Sequence, residues 1–300
     1  MPTTRALSRL AFATLFFVAF LVGANHVAAR LAFNNGADVA TAAFMRSIGT
    51  AVATGILLIT GHVALRASAH ERRALLFIGF LVGIQSLWLY GAVARLPVAL
   101  ALLVFNTYPF LTSVWARILY RQPMERRLIA MMGVLLVGLA LALDLFGTAS
   151  GIGMAAHWRQ MSVGVLMALA ASATFSLALI LTQHEAGAVD GRLRTFTTMV
   201  LAALIALAAV ATEGGFHWPH AAAGWVGLVI LMLFYGVGIT VMLALLPRWG
   251  VVGNSAILNA EPVFALVLAW IILNETMAPL QVAGALLVVG TVIAVGFRRE

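Results

Sequence analysis

Two ionisable residues, Glu261 and Arg46, lie inside long apolar stretches of the chain. At a rise of about 1.5 Å per residue, helices that begin near Val251 and Asp38 would carry them about 15 Å and about 12 Å into a membrane. A charged group at that depth is costly and by default functional. Glu261 could hold an ammonium group or carry a proton, and Arg46 could bind a carboxylate with its two-pronged guanidinium. A purely structural Arg–Glu pair is the alternative interpretation.

A sequence repeat places these residues in context. The pentapeptide Asn-Thr-Tyr-Pro-Phe at 106–110 recurs 153 positions later, at 259–263, as Asn-Ala-Glu-Pro-Val. Both copies follow a proline-bearing connection and precede a polar break and a further apolar stretch. Membrane chains built from two related halves are typical of secondary transporters, whose path lies between the halves. We therefore expect the counterparts Asn106 and Asn259 to face that path, although a single asparagine more often makes a helix–helix hydrogen bond.

Prolines and aromatic residues favour the same central space. Pro109 and Pro262 are predicted to bend their helices and to free the carbonyl groups four residues earlier. In a membrane, freed carbonyls are tolerated where they face protein or a water-filled cavity, and a bend that only shapes packing is an equally good interpretation. Aromatic side chains in a pocket would favour apolar or aromatic ligands. The candidates are Trp88, Tyr90, Tyr108 and Tyr235, of which Trp88 and Tyr108 lie deeper and are the better ones.

The remaining polar residues carry weaker signals. His26 lies near the outer end of the first apolar stretch, where a histidine is usually only hydrogen-bonded and proton sensing is the alternative. The two histidines of segment 217–220 do not have the spacing of a helical metal site, so we expect no metal and no cofactor. Asp144, near a helix end, is expected to be solvated.

Composition places the chain in lipid. Its 300 residues are 63% hydrophobic and 9% charged, whereas soluble domains carry about 25% charged residues. Cysteine and lysine are absent, which excludes disulfides, thiolate chemistry, a Walker A loop and a Schiff-base lysine. The net charge of +8 comes from arginines scattered between apolar stretches. This pattern indicates charge at a membrane surface rather than a nucleic-acid partner.

The apolar stretches predict an all-α integral membrane protein with ten spanning helices. The predicted spans are 9–31, 38–61, 74–94, 98–120, 127–146, 161–183, 194–212, 221–246, 251–273 and 278–297. With the N-terminus inside, 14 arginines fall on the cytoplasmic side, 3 outside and 1 within a span, so both termini are predicted to be cytoplasmic. Five spans is an odd number, and the two five-helix repeats, 1–150 and 151–300, are therefore predicted to be inverted. A cleaved signal peptide in place of the first span is the alternative, but it would leave four helices to pair with five.

These motifs together resemble the EamA-type ten-helix exporters of the drug/metabolite transporter superfamily. The resemblance rests on segments 259–265, 270–275 and 279–284, on the first-half counterpart from Leu96 to Gly138, and on segments 23–25, with Arg30, and 43–46. It covers nearly the whole chain and implies an inner-membrane exporter of amino acids or other small metabolites. Within that class the chain looks most similar to amino-acid exporters, including those that carry aromatic amino acids.

The chain also departs from that family. Gln122 stands where the family has an acidic residue after the fourth span, and Tyr108 precedes Pro109 where the ninth span has a Glu-Pro pair. The family's early tryptophan in the first span is missing from segment 20–23.

The leading expectation is a secondary transporter, a monomer or homodimer in membrane lipid, that exports small molecules by alternating access. Facilitated diffusion is slightly favoured over proton coupling, because proton relays tend to use several intramembrane acids. Alternatives are a multidrug or other metabolite exporter of the same fold, a non-transporting membrane scaffold, and a membrane-embedded enzyme. An enzyme would need clustered histidines or a His-Glu-x-x-His helix, which the sequence lacks. We expect Glu261→Gln to reduce transport more than Glu275→Gln.

Overall fold

The computed structural model describes residues 9–63, 66–122, 126–144, 154–249 and 261–296, which form α-helices and, within those ranges, no β-strand. The helices are α1 (Arg9–Asn34), α2 (Val39–Thr60), α3 (Ala69–Arg95), α4 (Val98–Phe105), α5 (Tyr108–Tyr120), α6 (Arg126–Ala142), α7 (Met154–Glu185), α8 (Gly191–Thr212), α9 (Ala222–Trp249), α10 (Glu261–Leu273) and α11 (Pro279–Gly296). Within these described ranges, six helical segments are long and apolar enough to cross a membrane, and three shorter apolar helical segments accompany them. The prediction of an all-α membrane protein is confirmed, while the ten-span inverted repeat stays a prediction.

Large apolar side chains cover the outside of the bundle. Ile59, Ile118 and Ile271 are among the many that are more than half exposed. A soluble protein rarely exposes apolar surface so extensively, whereas hydrocarbon solvates it without cost. The structure therefore describes a multi-pass membrane protein whose outer surface suits lipid.

Small residues bring the helices together inside the bundle. A Cβ atom added to Gly284 of α11 would lie 2.6 Å from the backbone oxygen of Gly138 in α6, and one on Gly227 of α9 would lie 2.6 Å from the backbone oxygen of Ala28 in α1. Between membrane helices, packing contacts replace the hydrophobic effect as the cause of association, so small residues at the crossings permit close backbone approach.

The most extensive helix contacts join the predicted first half (α1–α6) to the predicted second half (α7–α11). They are α3 with α7, α1 with α9, α2 with α8, α6 with α11, α3 with α8, α1 with α10, α2 with α9, and α4 and α5 with α7. The repeat offset of 153 residues pairs α1 with α7, α2 with α8, α3 with α9, α4 and α5 with α10, and α6 with α11. The set of contacts is unchanged when each helix is exchanged for its counterpart in the other predicted half. The exchange turns the α3–α7 contact into the α9–α1 contact and leaves the α2–α8 and α6–α11 contacts as they are.

The predicted span 98–120 is a pair of helices. The chain turns at Asn106 and Thr107, and Pro109 occupies the first turn of α5, where its missing N–H costs nothing. The expected bend within a continuous helix is therefore a break between two helices at this copy of the repeat. Pro262 is the second residue of α10, and Asn254 and Asn259 lie outside the described residues.

The structure corrects the expectation for Asp144. It follows α6, is only 2% exposed, and adjoins the buried residues Ala142 and Leu143. The expectation that Asp144 is solvated was wrong, because this end of α6 belongs to the packed core.

We predict that Gly284→Ala destabilises the protein by about 1–3 kcal/mol, because the new methyl group would meet the backbone of α6. Gly290→Ala, in the same helix, is the matched control, because among the described residues its added Cβ meets no atom of another helix within 4 Å. Alanine has the higher helix propensity, so this control should be neutral or slightly stabilising. Thermal unfolding in detergent measures both, and equal midpoints for the two variants would contradict close α6–α11 packing.

Candidate functional site

The guanidinium of Arg46 is buried between α2, α3 and α9. Its Cζ lies 4.1 Å from the ring centroid of Tyr235 and 5.1 Å from that of Tyr90, and its Nη2 donates to the hydroxyl of Ser86. Arg46 is only 3% exposed, and its Nε has no hydrogen-bond partner within the described ranges. Aromatic faces stabilise a desolvated cation by about 2 kcal/mol or more. Among the described residues, no carboxylate lies within ion-pair distance of this charge.

Glu261 lies against α1 rather than against Arg46. Its Oε1 is 3.3 Å from Nε2 of His26, whose ring meets the edge of Tyr90 at a centroid distance of 5.9 Å. Asn25 Nδ2 donates to the Tyr90 hydroxyl over 3.4 Å. The alternative of a direct Arg46–Glu261 ion pair does not hold among the described residues, where the side chains of Tyr90 and His26 link the two. The buried polar cluster comprises Asn25, His26, Arg46, Ser86, Tyr90, Tyr235 and Glu261.

Five helices, drawn from both predicted halves, build this cluster. Helices α1, α2 and α3 contribute from the first half, and α9 and α10 contribute from the second. Gly23 permits α1 and α10 to approach closely, because a Cβ at this position would lie 2.8 Å from the backbone oxygen of Glu261. Gly23 and His26 are three residues apart and share a face of α1. The glycine thus allows α10 to bring its carboxylate to the histidine.

The sequence prediction grouped Tyr108 and Asn106 with this cluster, but the structure gives them different neighbours. Tyr108 packs with Phe105 and Phe175, at centroid distances of 5.5 and 5.1 Å. Asn106 is buried, and its Nδ2 donates to the backbone oxygen of Leu102 over 2.8 Å. The asparagine amide therefore stabilises the end of α4, and its predicted role in binding remains a proposal.

Trp88 lies in a separate cavity at the end of the bundle where α1 and α3 finish. This is the end that the arginine distribution predicts to face outward, and it is called the outer end below. The cavity has a volume of about 630 Å³, and Trp88 lines it, whereas Arg46 does not. On α3, Ser86 and Tyr90 contact Arg46, whereas Trp88 and Gly91 line the outer cavity. Trp88 therefore lines a cavity whose lining does not include Arg46, and its role in substrate binding stays a prediction.

Glu275 is the residue whose role the sequence prediction missed. Its Oε2 accepts the backbone N–H of Val98 over 2.9 Å, and its Oε1 lies 3.7 Å from Nε of Arg30. Burial raises the pKa of Glu275 above its usual value, although the Val98 amide and Arg30 act in the opposite direction. This carboxylate connects α10 to the start of α4 and the end of α1 at the outer end. It is thus a structural residue and a poor control for a transport defect at Glu261.

The repeat counterpart of Glu275, 153 positions earlier, is Gln122. It makes a matching contact at the opposite end of the bundle, where its Nε2 lies 3.0 Å from Nε2 of His184 at the end of α7. The residues that precede Glu275 and Gln122 in the chain, Asn274 and Arg121, both adopt φ 54°. The two predicted halves therefore carry equivalent tethers at opposite ends, one charged and one neutral. The repeat alignment was the signal that could have identified Glu275.

Ser86 and Asn25 were also missed. Ser86 lies four residues before Tyr90, so the helical spacing of α3 places both on one face, and this spacing could have indicated Ser86. Asn25 immediately precedes His26 and belongs to segment 23–25, so its part in the family resemblance was its signal.

Together, the lipid-suited surface and the polar cluster inside it define a multi-pass membrane protein with a candidate binding site. Residues 162–297 match the model of the EamA-like transporter family, and residues 65–213 match the model of the family described as purine nucleobase transmembrane transport. The two matches support a place in the drug/metabolite transporter superfamily and a role as a membrane transporter of small metabolites.

Comparison with known proteins adds evidence on the fold. No curated protein sequence matches the chain. Fifteen chains of known structure match it. One of them is a crystal structure that is 20% identical, covers 96% of this chain and 97% of its own, and superposes with a TM-score of 0.59. At this identity the likeness shows a shared fold.

We predict that the two tethers differ in strength. Glu275→Ala leaves the Val98 N–H and the Arg30 guanidinium without their partner and should cost about 1–3 kcal/mol. Gln122→Ala, at the counterpart position, should cost about 0.5 kcal/mol or less, because Gln122 is exposed. Thermal unfolding of the two purified variants measures the difference. A Gln122→Ala variant as unstable as Glu275→Ala would contradict the assignment of Glu275 as the stronger tether.

Proposed function

We propose that the protein is a secondary transporter that exports amino acids, including aromatic ones, across the inner membrane by alternating access. The observation that carries this proposal is the charge of Arg46, buried inside a membrane protein without a carboxylate partner among the described residues. An unpaired buried charge is strongly destabilising, so the ligand that binds this site should be an anion. A carboxylate supplies both the charge and the geometry that a guanidinium binds best.

The rest of the cluster suits the other parts of a zwitterion. Glu261, beside His26, provides an acceptor for an ammonium group, and the rings of Tyr90 and Tyr235 provide apolar surface for a side chain. Two further buried polar atoms, Asn25 Oδ1 and His26 Nδ1, have no partner in the described part of the chain. Buried polar groups are nearly always hydrogen-bonded, so these atoms are further candidates for ligand contact.

The helix contacts support the inverted repeat that alternating access requires. The contact pattern is the same after each helix is exchanged for its counterpart, and the Glu275 and Gln122 tethers occur at opposite ends. We infer from this that residues 1–150 and 151–300 are inverted five-helix repeats, and that the cluster between them is exposed to each side in turn. The charged outer tether is the stronger of the two, which favours closure at that end in the absence of substrate.

A nucleobase is the second candidate substrate. It is favoured by one specific observation, the match of residues 65–213 to a family described by purine nucleobase transport. A purine would stack on the tyrosine rings and form hydrogen bonds with the amide and imidazole groups of Asn25 and His26. It carries no carboxylate, so it would leave the charge of Arg46 unneutralised. The two candidates therefore differ in their need for Arg46.

We predict that Arg46→Gln reduces the efflux of tryptophan and phenylalanine from proteoliposomes about 10- to 100-fold, because a hydrogen bond to a charged group is worth about 1.5–3 kcal/mol. Adenine efflux, if present, should change far less. Arg117→Gln is the matched control, because Arg117 is an exposed arginine near the end of α5. The readout is initial efflux of preloaded radiolabelled substrate.

Two outcomes would redirect the proposal. Efflux of adenine but of neither amino acid would replace the amino-acid substrate by a nucleobase. Unchanged tryptophan efflux in Arg46→Gln would remove Arg46 from the binding site. The same assay, run with and without a pH gradient, decides the mode of transport. Efflux independent of the gradient means facilitated diffusion, and dependence on it would make the His26–Glu261 pair the first candidate for the coupling proton.

A further inference from the structure

The outer cavity has the size of a ligand site. Its volume of about 630 Å³ lies within the range of about 300–1,000 Å³ that is usual for small-molecule pockets. It is formed by the outer ends of α1, α2, α3 and α8 together with Met167 of α7. The residues of chemical interest in its lining are Arg30, Phe33, Asp38, Trp88, Arg95 and Glu213.

One part of the lining is positively charged. Arg30 donates to the backbone oxygen of Val93 over 2.7 Å and lies 3.7 Å from Glu275. Arg95 donates to the backbone oxygen of Gly91 over 3.0 Å, and no carboxylate of the described chain lies within ion-pair distance of it. Since a guanidinium has five donors, Arg95 can still bind a carboxylate with two parallel hydrogen bonds.

Another part of the lining is acidic. Asp38 Oδ1 caps α2 by accepting the Thr41 N–H, and its Oδ2 lies 2.6 Å from Nδ1 of His217. Burial raises the pKa of Glu213, and the neighbouring Asp38 carboxylate, with which it forms a hydrogen bond, raises it further. Asp38, Glu213 and the His217 imidazole thus lie together at one side of the cavity. The two carboxyl groups offer acceptor oxygens to an ammonium group that enters the cavity.

Apolar rings complete the lining. Trp88 and Phe33 are partly buried and pack against the main hydrophobic core. Aromatic faces of this kind favour ligands with apolar or aromatic side chains. The cavity thus offers a cation, an acidic pair and aromatic surface to one small molecule.

We propose that the outer cavity is a second binding site for a small zwitterion with an apolar or aromatic side chain, separate from the buried polar cluster. Arg95 binds the carboxylate, the Asp38–Glu213 pair binds the ammonium group, and Trp88 contacts the side chain. Arg46 is not part of the cavity lining, and Phe33, which is, meets the ring of Tyr90 at a centroid distance of 6.1 Å, so the two sites adjoin but use different arginines. The choice of ligand rests on the proposed function, whereas the existence of the second site does not.

Equilibrium binding of tritiated L-phenylalanine to the purified full-length protein in detergent tests this proposal. Four variants are compared with the unaltered protein: Arg95→Gln, Arg46→Gln, the combination of these two, and Arg159→Gln. Arg159 is an exposed arginine that lies outside the cavity lining, so its variant is the matched control. Size-exclusion chromatography confirms that each variant is folded. We expect two binding sites per chain in the unaltered protein and one in each of Arg95→Gln and Arg46→Gln.

The outcomes separate the two proposals. In Arg95→Gln, affinity at the outer site should fall about 10-fold or more, and the combined variant should bind at neither site. A single site that is lost in Arg46→Gln and unchanged in Arg95→Gln would overturn the second site and leave the proposed function standing. A single site lost only in Arg95→Gln would support the outer site and overturn the role of Arg46. No phenylalanine binding to the unaltered protein would overturn both.

Discussion

The burial of the Arg46 charge is the constraint on which the rest of the structure depends. Placing a guanidinium inside a lipid-embedded bundle is unfavourable unless the surroundings replace water. Here the rings of Tyr90 and Tyr235 and the hydroxyl of Ser86 do so in part. Their contribution is a fraction of what a carboxylate would give. If residue 46 contributed only to the stability of the fold, an apolar side chain would be more favourable there. The charge is therefore best explained by a ligand.

Close packing of small residues makes this arrangement possible. Gly23 lets α10 approach α1, and Gly227 lets α9 approach it from another direction, so helices from both predicted halves converge on one cluster. The same closeness means that a change of access must move packed groups of helices as units, because interiors at this density do not deform continuously. The tethers at Glu275 and Gln122 lie where such units would separate.

The sequence predicted the all-α membrane architecture, and it identified four members of the buried polar cluster, Arg46, Tyr90, Tyr235 and Glu261, and named His26 as a weaker candidate. Depth along a helix is readable from apolar length, and this is the information those predictions used. The direction in which a side chain points cannot be read from apolar length. For this reason Trp88 was placed with Tyr90, although the two residues border different sites. The alternative of a direct Arg46–Glu261 pair did not hold for a related reason, since partner choice depends on how helices cross. Glu275 was missed because its partners, Arg30 and the Val98 N–H, are far away in sequence.

The central claim is that the buried polar cluster is a substrate site reached from both sides of the membrane. Ser86→Cys tests it most directly, because the chain has no cysteine of its own and Ser86 contacts Arg46. A membrane-impermeant thiol reagent is applied from either side of sealed vesicles, with and without phenylalanine. The account predicts labelling from both sides and protection by phenylalanine. Ser113→Cys, in half-buried α5, is the comparison position. No labelling of Ser86→Cys from either side would contradict the claim and favour a non-transporting scaffold.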